Sequence, residues 1–417
     1  MLTAQIIMVA TLLVMIAGRA PLYITATVGS TIAAVAAGFS LLGNGPDSVG
    51  KLLVGAMNPV IVDMIGVLLF IGIMQASGFM DVIIYNIMEA GRKYGGAPGV
   101  ATAAGLAAAF IGALTSFTQP VITATIAGPA ATRLGLSPNK TSAIISMAAT
   151  VSNSCGFTHP TMLAILGLTG VGFGLINVYG FLASIGIYIY AYRRARNEMI
   201  AEGLSVTAHA EDEGFVLPEG APSFMKAFMP FILLCATFFA GVPVFLAGFI
   251  ASLFVAVTAR YTLFDGEKAM ISGVTQIAIP IVAIISLMFM SSVINKIGLV
   301  AVLAEYMEPL FVMVPIQTLL VVSAVAGTVT QSNAASAAII LPFVQILLGM
   351  GVDPMAVSFA GIMGASVMQL FLTGGALTAL PVVAGVIPGT VQREANRWQR
   401  PAFLVGLGVS FLMSFVV

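Results

Sequence analysis

Two stretches of this chain gather hydroxyl and amide side chains inside long apolar runs, and the pattern is written twice. In the first, Thr115, Ser116, Thr118 and Gln119 lead through a small, hydroxyl-rich run to Pro129 and Leu136-Ser137-Pro138. An apolar run follows, interrupted at Ser152, Asn153, Ser154, Gly156, Thr158, His159 and Pro160. About half the chain later, Thr330, Gln331, Ser332, Asn333 and Ser336 lead to Pro342 and Val352-Asp353-Pro354. The next apolar run is interrupted at Gln369, Thr373, Gly374, Gly375 and Thr378. Hydroxyl and amide oxygens ligate a hard cation, and the matching hydrogens donate to an anion. Where a helix breaks, its N–H end suits a carboxylate and its freed C=O end suits a cation. This is chemistry of binding and release. The candidate substrate ligands are Thr118, Gln119, Thr158, His159, Gln331, Ser332, Asn333, Thr373 and Thr378. Each hydroxyl also has a packing reading, because Ser, Thr and Gly let membrane helices approach closely. Four polar interruptions at equivalent places in two apolar halves favour a binding site for the set.

The segments that must position these residues are apolar throughout. The chain has 417 residues, 59% hydrophobic and 8% charged, with a mean hydropathy of +1.08. A soluble domain carries about a quarter charged residues. Apolar stretches of about 20 residues recur along the length, so the fold class is an all-α, polytopic membrane protein. Net charge is zero, which implies no nucleic-acid partner. Cys155 and Cys235 lack metal or redox spacing and read as small buried hydrophobes. Leu2 to Gly18 lacks a basic flank and has a counterpart at Phe228 to Gly241, so it reads as a mature helix.

In the first half, helices are expected at Leu2 to Ala17, Leu22 to Leu42 and Pro59 to Ser77, then an amphipathic arm from Phe79 to Arg92. A re-entrant hairpin descends from Val100 to Leu114, turns at Thr115 to Gln119 and returns from Pro120 to Leu134. A broken helix starts at Lys140, and a last helix covers Val171 to Tyr192. The second half repeats this order at Phe228 to Gly241, Val242 to Ala259, Met270 to Ile294, and an arm at Leu299 to Met307. A hairpin spans Val314 to Leu348 with its tip at Thr328 to Ala334. A broken helix covers Met355 to Val386, and Phe403 to Val416 closes the chain. The repeats are residues 1–195 and 224–417, joined by a cytoplasmic linker at 196–223. Scaffold helices are expected at 1–96 and 224–308, with hairpins and broken helices at 97–195 and 309–417.

Five crossings per half, with hairpins that do not span, invert the second half relative to the first. Place Arg193, Arg194 and Arg196 in the cytoplasm. Of the 16 lysines and arginines, only Lys51 and Lys296 then fall outside, as the positive-inside rule demands. Both termini are then periplasmic, and the membrane is a bacterial inner membrane. Arg393, Arg397, Trp398 and Arg400 read as a cytoplasmic interfacial anchor.

His159 reads as a proton carrier, a substrate donor or a structural histidine bonded to a loop carbonyl. Asp63, the one acid placed inside a span, reads as a functional group or a cap. No Walker loop, arginine ladder, histidine–acid cluster or nucleophile–base pair is present. ATP coupling, voltage sensing and metal or acyl-transfer catalysis lose their support, and no organic cofactor is expected. The scarcity of membrane acids favours sodium over proton coupling.

The run from Thr330 to Pro342 resembles the second hairpin tip of the ion transporter superfamily, where a Ser-Asn-Thr type motif precedes small residues and a proline. The helix order, with Phe110-Ile111-Gly112-Ala113 through Pro129, Gly135-Leu136-Ser137-Pro138 and Pro160, is similar to the large membrane subunit of tripartite ATP-independent periplasmic (TRAP) transporters. The resemblance implies an elevator transporter of organic acids, with a mobile domain of hairpins and broken helices. It implies sodium sites at the first tip and break (Ser116, Ser152, Asn153, Gly156) and at the second tip and break (Ser332, Asn333, Thr373, Gly374). The implied partners are a small organic anion, probed first as a dicarboxylate, the lipid bilayer, a small membrane subunit with a periplasmic binding protein, and a second copy of the chain. Ser116-Phe117-Thr118-Gln119-Pro120 departs from the usual first tip, which carries a Gly-Ser-Ala run and an acid. His159-Pro160 and Gly374-Gly375 depart from the paired prolines common after each break. A stand-alone carboxylate or sugar-acid symporter, like the divalent anion–sodium symporters and gluconate-type permeases, therefore stays open, as does a re-entrant-loop ion channel.

Overall fold

In a computed structural model, the described residues are 1–17, 20–43, 45–55, 59–115, 119–204, 220–275, 278–311, 313–372 and 379–417. They form helices and, beyond an isolated bridge between Ser40 and Ser48, no β-structure. The first half runs α1 (Leu2–Ala17), α2 (Leu22–Ala36), α3 (Val49–Gly55), α4 (Pro59–Ala76), α5 (Phe79–Thr115), α6 (Gln119–Arg133), α7 (Pro138–Ser146), α8 (Ala148–Cys155), α9 (Pro160–Thr169) and α10 (Leu175–Ala201). The second runs α11 (Phe224–Phe239), α12 (Val244–Thr258), α13 (Leu263–Thr275), α14 (Ala278–Lys296), α15 (Leu299–Phe311), α16 (Pro315–Thr330), α17 (Asn333–Gly349), α18 (Pro354–Met368), α19 (Ala379–Val386) and α20 (Gln392–Met413).

Local chemistry sets matching boundaries in the two halves. Pro21 and Pro243 precede α2 and α12. Gly78 (φ 71°) turns α4 into α5, and Gly298 (φ 72°) turns α14 into α15. The left-handed conformation of these glycines turns the chain between helices only two residues apart. Gly135 and Gly351 close α6 and α17 in the same way, with Leu136 N–H donating to Ala131 O and Val352 N–H to Leu347 O. Ser137 and Asp353 then cap α7 and α18, each followed by proline at the first helical position.

Four expectations change. The helix from Leu22 stops at Ala36 rather than Leu42, because Gly38 (φ 98°) closes it and Phe39 N–H bonds back to Ala34 O. Met270 to Ile294 is not one helix: α13 and α14 divide it, as α3 and α4 divide the matching stretch of the first half. The arm and first hairpin limb join as α5, kinked at Gly96 (φ 57°, ψ −149°) just before Pro98. At that kink Gly91 and Gly99 approach so closely that a Cβ on either would overlap the other's carbonyl. Cys235 is exposed on α11 rather than buried.

Among the described residues, two helical stretches are long and apolar enough to cross a bilayer alone, Gly95–Leu114 and Leu175–Ala201. Ile61–Ala76 and Phe79–Lys93 reach the length together but bend by 77°. Other apolar helices have 10–17 residues, short of the roughly 20 a span needs. Short helices at membrane depth require their freed backbone groups to be satisfied inside the protein.

Packing follows small residues. α4 meets α12 where Gly66 and Gly248 leave no room for a side chain, and α4 meets α13 where Gly72 faces Gly273. Asp63 Oδ1 accepts from Phe245 N–H at 3.4 Å, at the first turn of α12. The intramembrane acid thus serves as an inter-helix cap, the second of its two readings. Thr27 bonds Ser286 between α2 and α14, and Gln5 reaches Ile297 O from α1. A second group packs α16 on α18, α17 on α9, α8 on the second part of α5, and α20 on α7, α10 and α18.

Candidate functional site

The first break lies between α8 and α9. Gly156, Phe157 and Thr158 are non-helical, and His159 caps α9 in an extended conformation without a side-chain cap bond. The break is held against the first hairpin: Phe157 N–H donates to Ala113 O at 2.6 Å. His159 Nε2 meets Gly112 O at 3.2 Å with the ring fully buried. A carbonyl only accepts, so Nε2 carries a proton in this contact. This matches the structural reading of His159. A Cβ on Gly156 would collide with the His159 ring and the Ser152 carbonyl. Asn177 of α10 holds the other side, its Nδ2 donating to Cys155 O at 2.9 Å. Gly180 lets α10 sit directly on the Ser154 carbonyl.

The second tip is tighter than expected. α16 continues to Thr330, so only Gln331 (φ 50°) and Ser332 lie outside helices. Ser332 caps α17 by accepting from Ala335 N–H, so its hydroxyl, expected among the ligands, is engaged in a cap. Ser152 Oγ donates to Ala149 O within its own helix.

Hydrogen bonds join the halves at this level. Asn153 Nδ2 donates to Gln369 Oε1 at 2.8 Å, and Gln369 Nε2 donates to Gln331 O at 3.4 Å. Ser366 Oγ donates to Asn153 O, and Thr161 Oγ1 to Asn333 O at 2.7 Å. Of the described members of the two expected sodium sets, Asn153 and Asn333 take part in these contacts, whereas Ser152 bonds within its own helix and Ser332 caps α17. Asn153 Oδ1, Thr158 Oγ1 and both amide atoms of Asn333 are buried without a hydrogen-bond partner. A buried unpaired polar group costs about 1–3 kcal/mol, so each of these calls for a partner. The three neutral oxygens suit a small cation with hard-oxygen preference, whereas the Asn333 amide nitrogen is a hydrogen-bond donor and suits an anion. Among the described residues no group of three or more His, Cys, Asp or Glu could hold a metal. Ser116, Thr118, Thr373, Gly374 and Thr378 lie outside the described residues, and of Gln119 only the backbone is described, as the first residue of α6.

Gln369, Ser366, Thr161 and Asn177 were absent from the expected ligand set. Their signal was available: a polar residue in an apolar run must find a partner in the bundle interior. The end of α18 is held by α20, where buried Gln399 donates to Leu370 O and Arg400 Nε to Phe371 O at 3.1 Å. Trp398 is tied into the protein. Its indole N–H donates to Glu198 at 2.9 Å and Arg194 stacks on its ring. Glu198 and Glu202 both pair with Lys140. Partial burial pulls that ammonium down, but the hydrogen bonds it donates to Glu202 and Glu198 leave it above its ordinary value.

Solved structures share this fold. The YdaH transporter of Alcanivorax borkumensis superposes with a TM-score of 0.64 over 95% of this chain and 97% of its own, at 16% identity. MtrF of Neisseria gonorrhoeae, described as illuminating a class of antimetabolite efflux pumps, gives 0.63 over 96% of each chain at 13% identity. No family model matches the chain, and no curated protein is significantly similar to it in sequence. The fold is thus one used by membrane transporters, and the TRAP resemblance stays with the motifs that carry it.

Proposed function

We propose that the protein is a sodium-coupled secondary transporter that takes up a small organic anion, a carboxylate in the first instance, by an elevator movement. The buried, unpaired polar atoms on Asn153 and Thr158 at the first break and on Asn333 at the second tip carry this reading. Sodium would be held by the side-chain oxygens of these three residues, with Ser116, Thr373 and Gly374 as further ligands on sequence grounds. The matched turns of the two halves support two repeats of one path, and the lysine and arginine distribution supports their inversion. The chain would then sit in a bacterial inner membrane with periplasmic termini. The small membrane subunit, binding protein and second copy remain part of the TRAP-like form of the proposal.

The test is thermal stability of the purified protein in sodium or potassium, with and without succinate, malate, citrate or gluconate. A ligand that binds the folded state at 100 times its Kd adds about 2.7 kcal/mol. Sodium should raise the midpoint where equal potassium does not, and one carboxylate should raise it further. No sodium-specific rise removes the reading. The likeness to MtrF favours a second direction, export. Flux in vesicles under an inward and then an outward sodium gradient separates the two.

In the elevator reading, the mobile body comprises residues 97–195 and 309–417, and the scaffold residues 1–96 and 224–308. Apart from the pairs with Glu198 and Glu202 at the start of the linker, the hydrogen bonds named above stay within one body or the other. Gln345 of α17 crosses, donating to Ser291 Oγ of α14 at 2.8 Å. Cysteines at 345 and 291, with Cys155 and Cys235 replaced by serine, should be bridged by a short bis-methanethiosulfonate. Bridging should arrest transport and reduction should restore it. Full transport by the bridged protein would mean that these surfaces do not slide.

A further inference from the structure

The network at the break is neutral, yet one cation reaches its edge. Arg393, Arg397 and Arg400 share a stripe of α20, but the first two are exposed while Arg400 is half-buried. It lies eight residues into the helix, about 12 Å along its axis. It touches the end of α18 in two ways. Nε donates to Phe371 O at 3.1 Å, and the guanidinium lies over the Phe371 ring, 5.4 Å from its centroid. Phe371 stands two residues beyond Gln369, whose Oε1 accepts from Asn153. Among the described residues no carboxylate pairs with Arg400, whereas Arg92, Lys140 and Arg194 each have one.

We infer that Arg400 is the cationic anchor of the transported anion, binding a carboxylate of the substrate at the inner edge of the network. This rests on the transporter reading above and narrows its substrate class to anions with at least one carboxylate. The Phe371 contacts use one N–H and one face of the guanidinium. The two Nη groups remain, and a planar fork held in place matches a carboxylate in paired hydrogen bonds. Stacking on Phe371 fixes the fork in advance, so little side-chain freedom is lost on binding. A half-buried guanidinium with Nη groups left over has hydrogen-bonding capacity for a ligand.

The test compares wild type, Arg400→Gln and Arg400→Lys by thermal shift in sodium with succinate, malate, citrate and gluconate, and with succinamide as the uncharged counterpart of succinate. Wild type should respond to a carboxylate and not to succinamide. Arg400→Gln should need at least tenfold more of that carboxylate for the same shift while keeping the sodium-only shift. Arg400→Lys should fall between. An equal carboxylate response in Arg400→Gln overturns the inference and leaves the transporter reading standing. If Arg400→Gln does not fold, Arg400→Lys and the wild-type comparison decide: an unchanged response in lysine, or equal stabilisation by succinamide, overturns it. A wild type that ignores both sodium and every carboxylate overturns the transporter reading together with this one.

Discussion

Asn333→Ala is expected to abolish sodium-stimulated transport while the yield of folded protein stays near that of the wild type. Both amide atoms of Asn333 are buried and unpaired, so truncation breaks no side-chain hydrogen bond and relieves a desolvation cost of about 1–3 kcal/mol. A residue present for packing would behave in the opposite way, because its loss would leave a cavity. Asn153→Ala should impair transport as strongly but also lower stability, since it strands Gln369 Oε1. Sodium dependence of uptake in proteoliposomes, measured beside the thermal midpoint, separates the two quantities. Each tenfold loss of sodium affinity corresponds to about 1.4 kcal/mol. Undiminished sodium dependence in both variants removes these asparagines from the site.

Gly180→Ala should destabilise the protein severely, by about 1–3 kcal/mol or more, the range for overpacking a close-fitted core. A Cβ there would overlap the carbonyl oxygen of Ser154, a backbone atom at the end of α8 that cannot rotate away. The displaced α10 would pull Asn177 off Cys155 O and disturb the break. Gly186→Ala on the same helix is the control. Its Cβ would meet nothing closer than Val409 Cγ2 at 3.5 Å, and alanine is the better helix former by roughly 0.5–1 kcal/mol. Equal thermal midpoints for the two variants would show that the contact at Gly180 carries no weight.

What the sequence revealed of the fold was whatever local chemistry dictates. Ser137-Pro138 and Asp353-Pro354 announce helix starts because a cap followed by proline is a local device. Gly78 and Gly298 announce turns because few other residues accept that backbone. The division of Met270 to Ile294 into α13 and α14 was hidden, since the apolar run continues across it and composition does not register a change of direction. In the site, Asn153, Thr158 and Asn333 stood out as polar groups in apolar surroundings. The partnership of Asn153 with Gln369 did not, because it joins opposite halves and no spacing encodes it. Arg400 was grouped with Arg393, Arg397 and Trp398 because arginine and tryptophan favour the membrane boundary. Its burial and its contacts with Phe371 set it apart.

The bonds from Asn153 to Gln369 and from Thr161 to the Asn333 carbonyl run between halves built on one plan. If the plan arose by duplication, the copies ceased to be interchangeable once these links formed. Truncating Asn153 strands the Gln369 oxygen unless 369 changes with it, which ties the two positions to a shared history.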